Sequence, residues 1–206
     1  MTEPIPINLA VEDELSEVFL RTLLRQIAQE YCVGACYRRG GFGYLRKTID
    51  GFNNAAKGTP FLVLTDLDAC QCAPALIREW LPGKEMQPNL LFRVAVHEIE
   101  SWVLADRKAF AEFAGIRTDL IPDNVDSLSD PKQFLIGLVR KCRKRDLKND
   151  IVPAKNSTAR QGPDYNGRLA QFVLNFWRHR EALPHSESLS RAAGKLLSFR
   201  PSWVRQ

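Results

Sequence analysis

The chain has 206 residues, 45% hydrophobic and 26% charged, with a formal net charge of +5 and a pI near 9.0. This length suits one ordinary domain, or a compact domain with an appended helical piece, and the apolar share can fill a real core. No apolar run approaches the roughly 20 residues of a membrane span, and the acidic start MTEPIP lacks the basic and apolar regions of a signal peptide, so a soluble cytoplasmic protein with no membrane partner is expected.

The modest positive excess admits an anionic partner without requiring one. The five cysteines are Cys32, Cys36, Cys70, Cys72 and Cys142. Their odd number, with no CxxC pair and no matching histidine spacing, argues against both a disulfide framework and a structural zinc site. Cys70 and Cys72 lie near the acids described below but read as small, partly buried thiols.

In chain order, IPINLAVE reads as a first strand ending at Glu12 and feeding the helix DELSEVFLRTLLRQIAQEY. In that helix Leu15, Val18, Phe19, Leu23, Ile27 and Tyr31 recur at spacings of three and four, a core-facing stripe. Strand, acidic turn and helix make the opening half of a βαβ unit. Asp13 and Glu14 suit the positive end of the helix dipole, whereas Glu12 occupies the strand end itself.

A short strand is expected over 31–37 and a helix over 45–56. Between them, YRRGGFGYLRK mixes Arg38, Arg39, Arg46 and Lys47 with three glycines and two aromatics. Such a loop could bring backbone and cations to phosphate and rings to bases, or be an ordinary solvated connection. It lacks the spacing of a nucleotide-binding P-loop.

PFLVLTDLDAC carries the strongest signal. Its apolar run, bounded by Pro60 and then by Asp66 and Asp68, reads as a strand buried on both faces in a parallel sheet. Its carboxylates arrive at the C-terminal sheet edge, where open α/β folds build their sites. Adjacent anions repel unless a cation sits between them, and hard carboxylate oxygens suit Mg²⁺ or Mn²⁺. Parallel neighbours lie only about 4.8 Å apart, so Glu12 can reach the same point. Otherwise one aspartate caps the next helix, APALIREW, and the other is solvated.

LLFRVAVHEIESWVLAD then reads as a strand over 90–96 passing into a helix near His97. Glu98 and Glu100 fall at that junction, either as site carboxylates or as first-turn acids favoured by the dipole. From Arg107 onward the chain reads as helical. DPKQFLIGLVRKCRKRDLK opens with Asp130 as N-cap and Pro131 in the first turn, and ends in a basic cluster that includes Arg143 and Lys144. The cluster suits either a solvated helix end or a phosphate-binding surface, and Lys155 and Arg160 in the next loop favour the latter. GPDYNGRLAQFVLNFWRHREAL and SESLSRAAGKLLSF complete the helices, with Phe172, Phe176 and Trp177 expected in the core and His179 and His185 at the surface.

The order of acids, a glutamate after the first strand, a DxD after a later one and a final glutamate pair, resembles the Toprim domain of topoisomerases, primases and the overcoming-lysogenisation-defect nucleases. More closely, the blocks AVEDELSE, GGFGYLRK, VLTDLDAC, VAVHEIESWVLADR, DPKQFL and GPDYNGRLAQFV, in that order, resemble an uncharacterised Toprim-like family found among bacterial phage-defence genes. One departure is Asp13, where that family has a glycine. The resemblance implies an α/β, Toprim-like (Rossmann-like), mostly parallel sheet with flanking helices, divided into a metal-binding core over 1–106 and a helical C-terminal extension over 107–206.

It further implies a metal-dependent nuclease of an anti-phage system acting on DNA or RNA. Glu12, Asp66 and Asp68 would hold Mg²⁺ or Mn²⁺, with Glu98 or Glu100 completing a second metal site or serving as general base. Arg38, Arg39, Arg46, Lys47, Arg143 and Lys144 would grip nucleic acid. The rival expectation is a non-catalytic sensor or adaptor that docks on an ATPase partner and binds nucleic acid. Self-association into a homo-oligomer stays open.

Overall fold

The computed structural model describes residues 3–202. Four parallel strands, β1 (Ile5–Ala10), β2 (Tyr31–Tyr37), β3 (Phe61–Asp66) and β4 (Leu90–Ala95), pair in the order β2-β1-β3-β4. Alternation along β3 feeds two cores. Leu62 and Leu64 face one layer, and Phe61 and Val63 face the other. That double burial explains the unbroken apolar run in the sequence.

Helix α1 (Glu14–Gln26) covers the first face with Leu15, Phe19, Leu20 and Leu23. Helices α2 (Gly41–Ala55) and α3 (Ala73–Trp80) cover the second with Leu45, Ile49, Phe52, Leu76 and Trp80. The connections leave β1 and β3 toward opposite edges of the sheet, so the switch point lies between these central strands. After β4 come α4 (Ile99–Ala105), α5 (Arg107–Ala114), α6 (Pro131–Lys141), α7 (Arg145–Ile151), α8 (Tyr165–Asn175), α9 (His179–Ala182) and α10 (Glu187–Ser198). Their apolar faces join the first core, where Phe19 meets both Trp102 and Trp177 at ring distances of 5.6 and 4.5 Å.

Several local expectations change. YRRGGFGYLRK is largely not a loop, because α2 already begins at Gly41 behind a tight turn with Gly40 and Gly41 at φ 76° and 61°. Its aromatics are spent on packing, Phe42 against Trp80 and Tyr44 against Phe52. The basic helix breaks at Cys142, because Lys144 reaches across to bond the terminal carbonyls of α5 at Phe113 (2.6 Å) and Glu112 (3.3 Å). The next helix breaks after Asn175, where Asp106 accepts a bond from the Arg178 backbone and the Trp177 indole donates to the Trp102 carbonyl. Trp177 and Phe172 are fully buried as expected, but Phe176, thrown outward at the break, is 48% exposed. No described helix is long and apolar enough to cross a membrane.

Candidate active site

The site grows from register. β1 and β3 pair with Ala10 opposite Val63, so two residues further on the chain brings Glu12 beside Thr65 and Asp66. The Glu12 carboxylate accepts the Asp66 backbone N–H at 3.0 Å and the Thr65 hydroxyl. These bonds aim Glu12 across the switch point. Asp13 is in extended backbone and caps α1 through a 2.8 Å bond from the Ser16 N–H, so its side chain is engaged with the helix start.

The Asp66 side chain accepts no hydrogen bond and joins no ion pair among the described residues. Burial pushes its carboxyl well above the usual range, and Glu100, Glu12, Asp13 and Asp68, all of like charge, push it further. Glu12 is also raised, chiefly by burial and despite its two hydrogen bonds. Neither Asp66 nor Asp68 caps α3, whose N-cap is Cys72 with no side-chain cap bond. The capping half of that alternative therefore fails, while Asp68 is solvated, and among the described residues neither aspartate is in an ion pair.

Asp68 is exposed, in the left-handed region at φ 48°, a conformation aspartate tolerates better than most residues. It is held there by the chain crossing from β4. The backbone N–H groups of Leu67 and Asp68 both donate to the His97 carbonyl at 3.0 Å. This tie also delays α4 to Ile99, so His97 and Glu98 precede the helix and do not share its faces. Asp68, His97, Glu98, Ser129 and Asp130 line a cavity of about 350 Å³ beside the strand ends.

The glutamate pair divides. Glu98 accepts the Lys132 backbone N–H at 2.9 Å, while Asp130 accepts that of Gln133 at 2.8 Å, so together they satisfy the first free amides of α6. Burial raises the Glu98 carboxyl, with the α6 amide opposing. Glu100 instead points inward at 3% exposure, toward Asp66, and accepts the Tyr165 hydroxyl at 2.9 Å. Lys132 Nζ lies 3.6 Å from the same carboxylate and 5.1 Å from the Tyr165 ring centre. Burial raises Glu100, partly countered by Lys132, and Tyr165 is raised well above its usual range by burial and then by Glu100.

Thr65, Lys132 and Tyr165 were not expected at the site. Lys132 and Tyr165 lie in the blocks DPKQFL and GPDYNGRL, whose presence among the resembling segments was the available signal. Of the expected nucleic-acid contacts, Arg38 is committed to Glu14 and Glu17, Arg46 to Glu79, and Lys144 to the end of α5. Arg39, Lys47 and Arg143 are exposed, and among the described residues they form no ion pair. All five cysteines are free thiols.

Among the described residues, no three histidine, cysteine, aspartate or glutamate side chains already stand at metal-coordinating spacing. The donor set is nonetheless of the right kind: Glu12, Asp66 and Asp68 offer hard oxygens, and among the described residues none of the three joins an ion pair, although the His97 imidazole borders the same cavity. No curated protein and no solved structure matches the chain. A family model described as a domain of unknown function (DUF4276) matches residues 11–166, a span that holds every carboxylate named above together with Lys132 and Tyr165. The chain belongs to that family, the DUF4276 domains of unknown function.

Proposed function

We propose that this protein is a Toprim-like, metal-dependent nuclease that hydrolyses phosphodiester bonds in DNA or RNA as part of a bacterial anti-phage system. The observation that carries the reading is Asp66, a carboxylate with no bonding partner among four others at the switch point of a parallel sheet. Ionising a carboxyl in a half-buried position among other acids is costly, and a divalent cation that displaces the proton would offset that cost. The motif order supplies the substrate class and the defence setting.

Glu12, Asp66 and Asp68 would hold Mg²⁺ or Mn²⁺, after side-chain rotation draws Asp68 inward. When bound, such an ion neutralises the scissile phosphate and acidifies a water. The chain's own contribution is orientation and proton handling. Thr65 and the Asp66 amide fix Glu12. Tyr165 and Lys132 hold Glu100, whose proton affinity burial raises, and a carboxyl held this way would serve as the proton-handling group. Glu98 borders the cavity while capping α6, a positioning role.

Cleavage of plasmid and structured RNA with Mn²⁺ should disappear on adding EDTA, and should fall at least about a hundredfold in Asp66→Asn. Equal rates for mutant and wild type would end the assignment. The unassembled coordination sphere favours one rival, a non-catalytic sensor or adaptor. Calorimetric titration with Mn²⁺ separates the two, because only the nuclease should show binding that Asp66→Asn removes.

A further inference from the structure

We propose that the groove between α6, α7 and the loop 152–164 is a sequence-independent track for the phosphate backbone of a nucleic-acid strand. The inference takes its ligand class from the nuclease reading, and names the surface that delivers the strand to that site.

The groove, open to solvent, has a volume of about 1380 Å³ and its lining includes Arg140, Lys148, Lys155 and Arg160, with Asp130 as the one acid among the described residues. Among the described residues none of these four cations is in an ion pair, whereas Arg38 and Arg46 beside the sheet edge are in surface ion pairs. Charge held apart from counter-charge within a concavity focuses an attractive field on anions. Asp130 is also a wall of the cavity lined by Asp68, His97 and Glu98, so the groove adjoins the candidate active site.

The loop forming its far wall is pinned. Gly162 donates to the Ile151 carbonyl at 2.9 Å, Asp164 to the Asp150 carbonyl at 3.0 Å, and the Arg160 carbonyl accepts from Gln133 on α6. A Cβ on Gly162 would come within 2.3 Å of the Asp150 carbonyl oxygen, so only glycine allows this closure.

Size and lining choose the ligand. Small-molecule pockets run to roughly 300–1,000 Å³, so a polymer suits this groove better than a mononucleotide. Among the described residues no aromatic side chain lines it, which argues against base stacking as a mode of recognition. Beside the apolar Val152, Pro153, Ala154, Ala159 and Pro163, the lining offers the four cations with Gln133, Asn149, Asn156 and Ser157, groups that bond phosphate oxygens without reading bases.

The test is fluorescence anisotropy with a labelled mixed-sequence oligonucleotide of about 20 nucleotides, in EDTA, across a salt series. Four phosphate contacts to a single strand predict a log–log salt slope of about −3. Lys148→Gln/Lys155→Gln should shallow that slope by about 1.4 and weaken binding roughly tenfold. The charge-matched control Lys57→Gln/Lys195→Gln, at exposed positions outside the groove, should bind within about twofold of wild type.

The proposal is overturned if wild type does not bind in EDTA, if the groove variant keeps the wild-type slope, or if the control loses as much. Displacement of the oligonucleotide by polyglutamate at equal charge concentration also overturns it, because the groove would then suit an acidic protein. Groove-dependent binding without Mn²⁺-dependent cleavage would sink the nuclease reading while leaving the groove assignment standing.

Discussion

Asp66 concentrates the physics of this molecule in a single side chain. Its folded-state carboxyl binds a proton more tightly than it does in the unfolded chain, because burial and the charges on Glu100, Glu12, Asp13 and Asp68 disfavour ionisation. By linkage, the stability associated with this group is fully present below the unfolded carboxylate range near 4 and is lost as pH rises through the folded value. Glu12, Glu98, Glu100 and Asp106 are raised in the same direction. The metal-free protein should therefore melt at progressively lower temperature as pH climbs from about 4 to neutrality, and Asp66→Asn should flatten that decline and raise the neutral melting temperature. Calorimetric scans in EDTA over this range provide the check, and a variant with the wild-type slope would show that Asp66 ionises at no cost. A second residue, Tyr165, donates to Glu100 from a buried position beneath the Lys132 ammonium. Tyr165→Phe should lower cleavage more than it lowers Mn²⁺ affinity, because it loosens Glu100 without removing a metal donor, and parallel calorimetry and rate measurements distinguish these effects.

At the scale of elements, the N-terminus of α6 decides how the glutamate pair is used. Asp130 and Pro131 were readable as a helix start from the sequence, whereas the second capping carboxylate, Glu98, comes from far along the chain and could only be found in three dimensions. Glu98→Ala should cost about 1 kcal/mol of stability through the lost cap. Mn²⁺ binding should be retained, and a denaturant melt paired with calorimetry tests both halves of that expectation. The same contrast explains the misread segment 37–47. Its glycines and arginines look like a phosphate loop by composition, but its rings had partners on α2 and α3 that only packing revealed. Likewise the run of lysines and arginines after α6 gave no sign that Lys144 would turn to the carbonyls of α5.

For the molecule as a whole, the helical half is not a detachable appendage. The core on the first sheet face runs from Ile7, Leu9 and Leu62 through Phe19 and Trp102 to Phe172 and Trp177 without a break. Lys132 and Tyr165, which hold Glu100, also come from beyond residue 106. A fragment of residues 1–106 should accordingly show no cooperative unfolding transition, and a sharp melt from that fragment would contradict the shared core. Phe19→Ala, which removes a ring wedged between two tryptophans, should destabilise the full chain by about 3–5 kcal/mol, measurable by chemical denaturation.

The sequence alone determined what depends on neighbours along the chain. Periodicity marked the strands, the apolar run of β3 announced double burial, and acids at strand ends pointed to one edge of a parallel sheet. Tertiary structure decided everything that depends on who faces whom. It brought Glu12 to the Asp66 amide, gave Glu98 to α6 and Glu100 to the interior, spent Arg38 and Arg46 on ion pairs, and left Arg140, Lys148, Lys155 and Arg160 unpaired along a groove. The reason is that a side chain's type is local, whereas its burial and its partner belong to contacts between residues far apart in the chain.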